Sequence, residues 1–201
     1  MNMAQPDQND QTRSVRKSAL AALAGLYMFP QQDKALAAAL QKRFPGLGVP
    51  ALKDSLHYLQ KKGYVAFHKA GKGPLGVRIT PLGIDLVDGA VNDQGVLPTR
   101  PDFAGLMAKR AVRMGILSYC RQFPESCNGD DEIHADLVDQ GMERLLADEV
   151  RFHIWYLAGK GYLEMKSHQV NNDVACFARI TALGMDLADG VITDPGVTTD
   201  E

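Results

Sequence analysis

The sequence predicts a mainly α chain with small β-hairpins, an α+β fold made of two domains in tandem. Three observations carry this expectation. The stretch RITPLGIDLVDGAVNDQGV, Arg78 to Val96, returns as RITALGMDLADGVITDPGV, Arg179 to Val197, with twelve of nineteen positions identical. Upstream, YLQKKGYVAF at Tyr58–Phe67 answers YLAGKGYLEM at Tyr156–Met165, an offset of 98 residues. The closing stretches are offset by 101, so the second copy holds three extra residues between these landmarks. A period near 100 residues is too long for a solenoid repeat and fits whole domains. VRKSALAALAGLYMFP and KRAVRMGILSYCRQFP, each ending in Phe-Pro, extend the parallel to the start of each copy. These landmarks place a mobile polar tail at 1–14, the first copy at 15–96, a linker with two prolines at 97–105 and the second copy at 106–197.

Each copy reads helix, helix, helix, strand, strand, helix. In the first, Ala19, Leu20, Leu23 and Tyr27 recur at helical spacing over Val15–Met28, and Pro30 ends the run. Asp33 is placed to cap a second helix, DKALAAALQKRF, which stops before Pro45-Gly46. Pro50 suits the first turn of a third helix, PALKDSLHYLQKK, terminated by Gly63. YVAFH and VRIT are short strands joined by glycine-rich turn residues, the pattern of a hairpin. Thr80 then caps a closing helix with Pro81 in its first turn. The positions shared by both copies, Ile79/Ile180, Leu82/Leu183 and Leu86/Leu187, are expected in the core.

A helix ending in Leu-x-x-x-Gly-Tyr, a hairpin, and then Thr-x-x-Gly resembles the winged-helix superfamily of helix-turn-helix proteins, twice over. The resemblance covers most of the chain and implies two tandem winged-helix domains, without pointing to one family. It also implies a DNA-reading third helix and a hairpin wing that reaches phosphate. In the first copy Leu52, Leu56 and Leu59 lie on one helix face, which turns Asp54, His57, Tyr58 and Lys61 outward with Lys53 and Lys62 beside them. The nucleic-acid candidates are therefore Lys53, His57, Lys61, Lys62, the hairpin's Lys69 and Lys72, and Arg78 on the returning strand. In the second copy the corresponding outward places hold Phe152, Trp155, Tyr156 and Gly159. Three rings on an outward face, Phe152, Trp155 and Tyr156, point to a protein partner or a second subunit.

Charge divides the same way. The first copy carries 11 Lys plus Arg against 5 Asp plus Glu; the second carries 9 against 14. A basic half meets nucleic acid and an acidic half repels it, so the whole-chain charge of −2 conceals two different surfaces.

No run approaches the length of a membrane span, and MNMAQPDQNDQTRS lacks the pattern of a secretory signal, which leads us to expect a cytoplasmic protein. Three cysteines without a C-x-x-C pair argue for reduced thiols. Cys120, Cys127 and His134 are spaced by seven, which is no zinc spacing; GKGPLG joins two strands and lacks the P-loop pattern. The acidic run ESCNGDDEIHAD lacks EF-hand ligand spacing. No metal, cofactor or catalytic residue is expected. The leading expectation is a non-enzymatic DNA-binding regulator of bacterial or phage type, with the first copy on duplex DNA and the second in association. The alternatives are a protein–protein adaptor using winged helices as scaffold, and a replication or partition initiator with both copies on DNA.

Overall fold

A computed structural model of the chain describes residues 8–69, 75–98, 102–170 and 173–199. Lys72 lies outside the described residues. Among those described, the architecture is α+β, with eight helices and two three-stranded antiparallel sheets. The chain divides into two units, Met1–Asp102 and Phe103–Glu201. No helix among the described residues is long and apolar enough to cross a membrane.

Unit 1 contains α1 (Gln8–Ala24), β1 (Gln31–Gln32), α2 (Asp33–Gln41), α3 (Val49–Lys61), β2 (Val65–Lys69), β3 (Leu75–Ile79) and α4 (Pro81–Asp88). Unit 2 contains α5 (Phe103–Gln122), β4 (Asn128–Gly129), α6 (Asp130–Asp139), α7 (Ala147–Gly159), β5 (Leu163–Val170), β6 (Asp173–Ile180) and α8 (Ala182–Ala188). The hairpin pairs Val65 with Ile79 in unit 1 and Leu163 with Ile180 in unit 2. Its strands have five residues in unit 1 and eight in unit 2, which locates the three-residue insertion in the hairpin. Each core gathers one stripe from every helix and adds residues of the hairpin: Leu20, Leu23, Leu36, Leu40, Leu52, Leu56, Leu59, Ile79 and Ile84 are buried in unit 1, and Ile116, Leu117, Ile133, Ile154, Leu157, Ile180 and Leu187 in unit 2. Burying one such side chain contributes about 1.5–3 kcal/mol.

Several expectations need correction. The first helix begins inside the polar tail, at Gln8, where Asp10 and Arg13 form an ion pair one turn apart. It ends at Ala24, four residues before Met28, in turns that leave Leu26 exposed. Asp33 is the first residue of α2 and not its cap; its carboxylate accepts the Lys34 N–H. The two-residue strands β1 and β4 were not foreseen. They pair with β3 and β6, and Gly76 admits β1 because a Cβ there would lie 2.7 Å from Pro30 Cβ. The linker region 97–105 already contains the start of α5 at Phe103. The two Phe-Pro landmarks are also not equivalent. Core positions Val15/Val112, Leu20/Leu117, Leu36/Ile133 and Leu40/Leu137 set an offset of 97 through the first two helices, whereas Phe29 and Phe123 are 94 apart.

The repeated Thr-x-x-Gly has a direct explanation. Thr80 Oγ1 accepts the Gly83 N–H at 3.2 Å and donates to the Gly63 carbonyl at 2.6 Å; Thr181 does the same with Gly184 at 3.0 Å and Gly161 at 2.7 Å. Gly83 and Gly184 press against the Tyr64 and Tyr162 carbonyls, where any Cβ would clash with backbone. Gly184→Ala should therefore destabilise unit 2 by about 1–3 kcal/mol, read as an earlier denaturation midpoint. Leu82 and Leu183, expected in the core, are 42% and 45% exposed. They sit on the outer side of the closing helix, near the turns at Gly63 and Gly161, so the shared leucine covers a turn.

Candidate nucleic-acid interface

Helix α3 buries Leu52, Ser55, Leu56 and Leu59, which leaves Pro50, Asp54, His57 and Lys61 on the opposite side, all exposed. His57 lies against Phe67 of β2 with ring centroids 5.4 Å apart, so the outer side of α3 runs on into the hairpin. Lys69 is exposed at the end of β2, and Arg78 is half-buried on β3. Burial, then the neighbouring Arg78 charge, lowers the His68 pKa, which favours a neutral imidazole between these cations.

Tyr58 does not belong to this face. Its ring lies 3.6 Å beneath the Arg16 guanidinium, and its hydroxyl donates to Asp93 at 3.1 Å. Asp93 also receives the Tyr64 hydroxyl at 2.8 Å, the Gly95 N–H at 2.6 Å and the Lys62 ammonium at 2.9 Å. Arg16 in turn donates to the Gly95 carbonyl. The segment after α4 is thereby latched onto α1 and the end of α3. Burial alone would raise the Asp93 pKa, but Lys62, the Gly95 N–H and the two tyrosines outweigh it and hold the carboxyl at about 2.

That depressed value sets a pH prediction. The group is stabilising in its ionised form, fully so above the ordinary value of 3.8, and the contribution is lost as pH falls through about 2. Acid titration followed by circular dichroism should show unit 1 losing stability between about pH 4 and 2. Asp93→Asn should remove that component of the pH dependence.

Unit 2 repeats the latch residue for residue. Arg113 lies 3.7 Å over Tyr156 and donates to the Gly196 carbonyl at 2.7 Å. Asp194 receives Lys160 and Tyr162, each at 2.7 Å, and the Gly196 N–H at 2.8 Å. The D-x-G-V that ends both copies is the latch, and Lys62 is part of it. Arg113 also donates to His153 Nδ1 at 3.2 Å, and burial, then the charges of Arg113 and Lys109, push that histidine down to about 3.

Comparing the units sorts the remaining cations. Lys53 pairs with Asp33 at 3.2 Å, just as Arg151 pairs with Asp130, so this contact belongs to the shared scaffold. Arg78 differs from its counterpart. Arg179 pairs with Glu164 across the hairpin, but the residue opposite Arg78 is Ala66. Lys61 corresponds to Gly159. Among the described residues, Lys61, Lys69 and Arg78 have no ion-pair partner, whereas Lys53 and Lys62 have one.

The outward aromatic face expected of unit 2 does not form. Trp155 is 8% exposed and Tyr156 0%, and Phe152 is half-buried. Tyr156 is roofed by Arg113 as Tyr58 is by Arg16; Trp155 stacks on Phe152 at 6.0 Å, on a helix that also packs against the longer β5. These rings are held within the fold, which withdraws the basis for assigning a partner to them.

Three exposed cations were missed: Lys34 at the start of α2, and Lys42 and Arg43 just past its end. Their signal lay in the repeat, because at the 97-residue offset they become Asp131, Asp139 and Gln140. Compared with family models, curated proteins and solved structures, the chain has no significant match.

Proposed function

We propose that the chain is a non-enzymatic duplex-DNA-binding protein, a transcriptional regulator built from two tandem winged-helix units, with unit 1 making the DNA contact. Each unit has the helix order and hairpin that the resemblance implies, with one short additional strand. The observation that carries the reading is the divergence of one surface on a shared scaffold. Where unit 2 has a glycine and a neutralised arginine, unit 1 has Lys61 and an unpaired Arg78, beside exposed His57 and Lys69. Charges on α3 and the hairpin that have no ion-pair partner within the fold favour contact with a phosphate backbone. In this reading Lys61, Lys69 and Arg78 contact phosphate and His57 meets base edges, while Lys53 and Lys62 shape the surface from within their ion pairs.

An initiator with both units on DNA is disfavoured, since the equivalent side of α7 presents Asp148 and Gly159 and the neighbouring α6 is acidic. The test is fluorescence anisotropy of a labelled mixed-sequence duplex titrated with the full chain at two salt concentrations. Binding should weaken steeply with salt; no binding at low salt would overturn the reading and favour the adaptor.

A further inference from the structure

The outer faces of α2 and α6 hold equivalent positions in the two units and carry opposite charge. At the shared offset, Lys34 becomes Asp131, Ala35 becomes Glu132, Ala39 becomes Asp136 and Lys42 becomes Asp139. Lys34, Lys42, Asp131, Glu132 and Asp139 are all exposed. Some neighbouring carboxylates have work within the fold: Glu132 accepts the Gly129 N–H, Asp136 the Gln140 amide, and Asp148 the Arg151 guanidinium. Asp131 and Asp139 have no ion-pair partner among the described residues.

We propose that the α6 face of unit 2 docks on the α2 face of unit 1 in a second copy of this chain, head to tail. Three features support that occupant. The charge is reversed at the two equivalent end positions, Lys34/Asp131 and Lys42/Asp139, which solvation alone does not require. The spacing also matches: each face carries its two charges eight residues apart, about 12 Å along a helix. Laid antiparallel, Lys34 meets Asp139 while Lys42 meets Asp131. Finally, the surface between the lysines is Ala35, Ala38 and Ala39, all exposed, and α6 offers Ala135. Small side chains let two helices approach until the terminal charges meet.

Such a contact is heterologous, so each added copy leaves one acidic and one basic face open and the assembly grows with concentration. Its ion pairs lie at the rim, which makes the association weak and sensitive to salt. The association does not depend on the DNA reading. Only its consequence does: docking would occupy Lys34 and Lys42 beside the proposed interface and compete with duplex.

Sedimentation of the full chain without DNA tests the proposal. At low salt and high concentration the mass should exceed one chain and fall to one chain at high salt. The variants K34E/K42E and D131K/D139K should each remain single chains. Mixed in equal amounts, they should regain association beyond one chain, because one variant then carries only acidic faces and the other only basic ones. A misfolded variant would not regain it. A wild-type chain that stays single at low salt, a variant that associates like the wild type, or a mixture that stays single would each overturn the proposal. Loss of DNA binding with association intact would overturn only the proposed function.

Discussion

Asp194→Ala should unfold unit 2 well before unit 1. The Asp194 carboxylate receives Lys160, Tyr162 and the Gly196 N–H, and both it and Lys160 are largely shielded, with side chains 9% and 14% exposed. Removing one member of a buried, hydrogen-bonded ion pair leaves the other charge desolvated, a loss of about 3–5 kcal/mol. For a unit of this size that lowers the melting temperature by at least about 12 °C. Trp155 is the only tryptophan and lies in α7, so its fluorescence follows unit 2 alone. The matching variant Asp93→Ala should leave the tryptophan transition in place. It should also cost unit 1 less, because Lys62 is 47% exposed and regains water when its partner is lost. Equal losses in the two units, or none in unit 2, would contradict the latch.

The latch also shows how far the sequence could be read. The repeat was visible, and so were the helix order, the hairpins and the cap at Thr80, because these depend on local spacing and turn chemistry. What the shared D-x-G-V does was not visible. Its partners, Arg16 and Lys62 or Arg113 and Lys160, come from distant helices, and only the folded chain brings them together. The same limit explains the errors at the candidate site. Helical spacing places Tyr58 and Tyr156 on the outward face, but an arginine stacked on each ring holds it within the fold. Nor does spacing reveal that Lys53 and Lys62 are paired while Lys61 is not. The pairing of β2 with β3 was needed to see that Ala66 stands opposite Arg78 where Glu164 stands opposite Arg179.

Lys61→Ala combined with Arg78→Ala should weaken duplex binding by about thirtyfold near 0.15 M salt and lower the salt slope by about two, since each phosphate contact contributes about fivefold there. The effect should be similar on every sequence. Lys62→Ala should behave differently: it opens the Asp93 latch, so it should lower the thermal stability of unit 1. The sharper test adds an acid and leaves every cation in place. Ala66→Glu would give unit 1 the cross-strand carboxylate that unit 2 has in Glu164, and Arg78 would then be paired as Arg179 is. If the released charge of Arg78 is what DNA meets, Ala66→Glu should weaken binding at least as much as Arg78→Ala. The reciprocal Glu164→Ala should leave DNA binding unchanged, because unit 2 offers no neighbouring lysine at Gly159 to complete a phosphate track. Binding insensitive to Ala66→Glu would place the contact elsewhere on unit 1, with exposed Lys34, Lys42 and Arg43 the next residues to substitute.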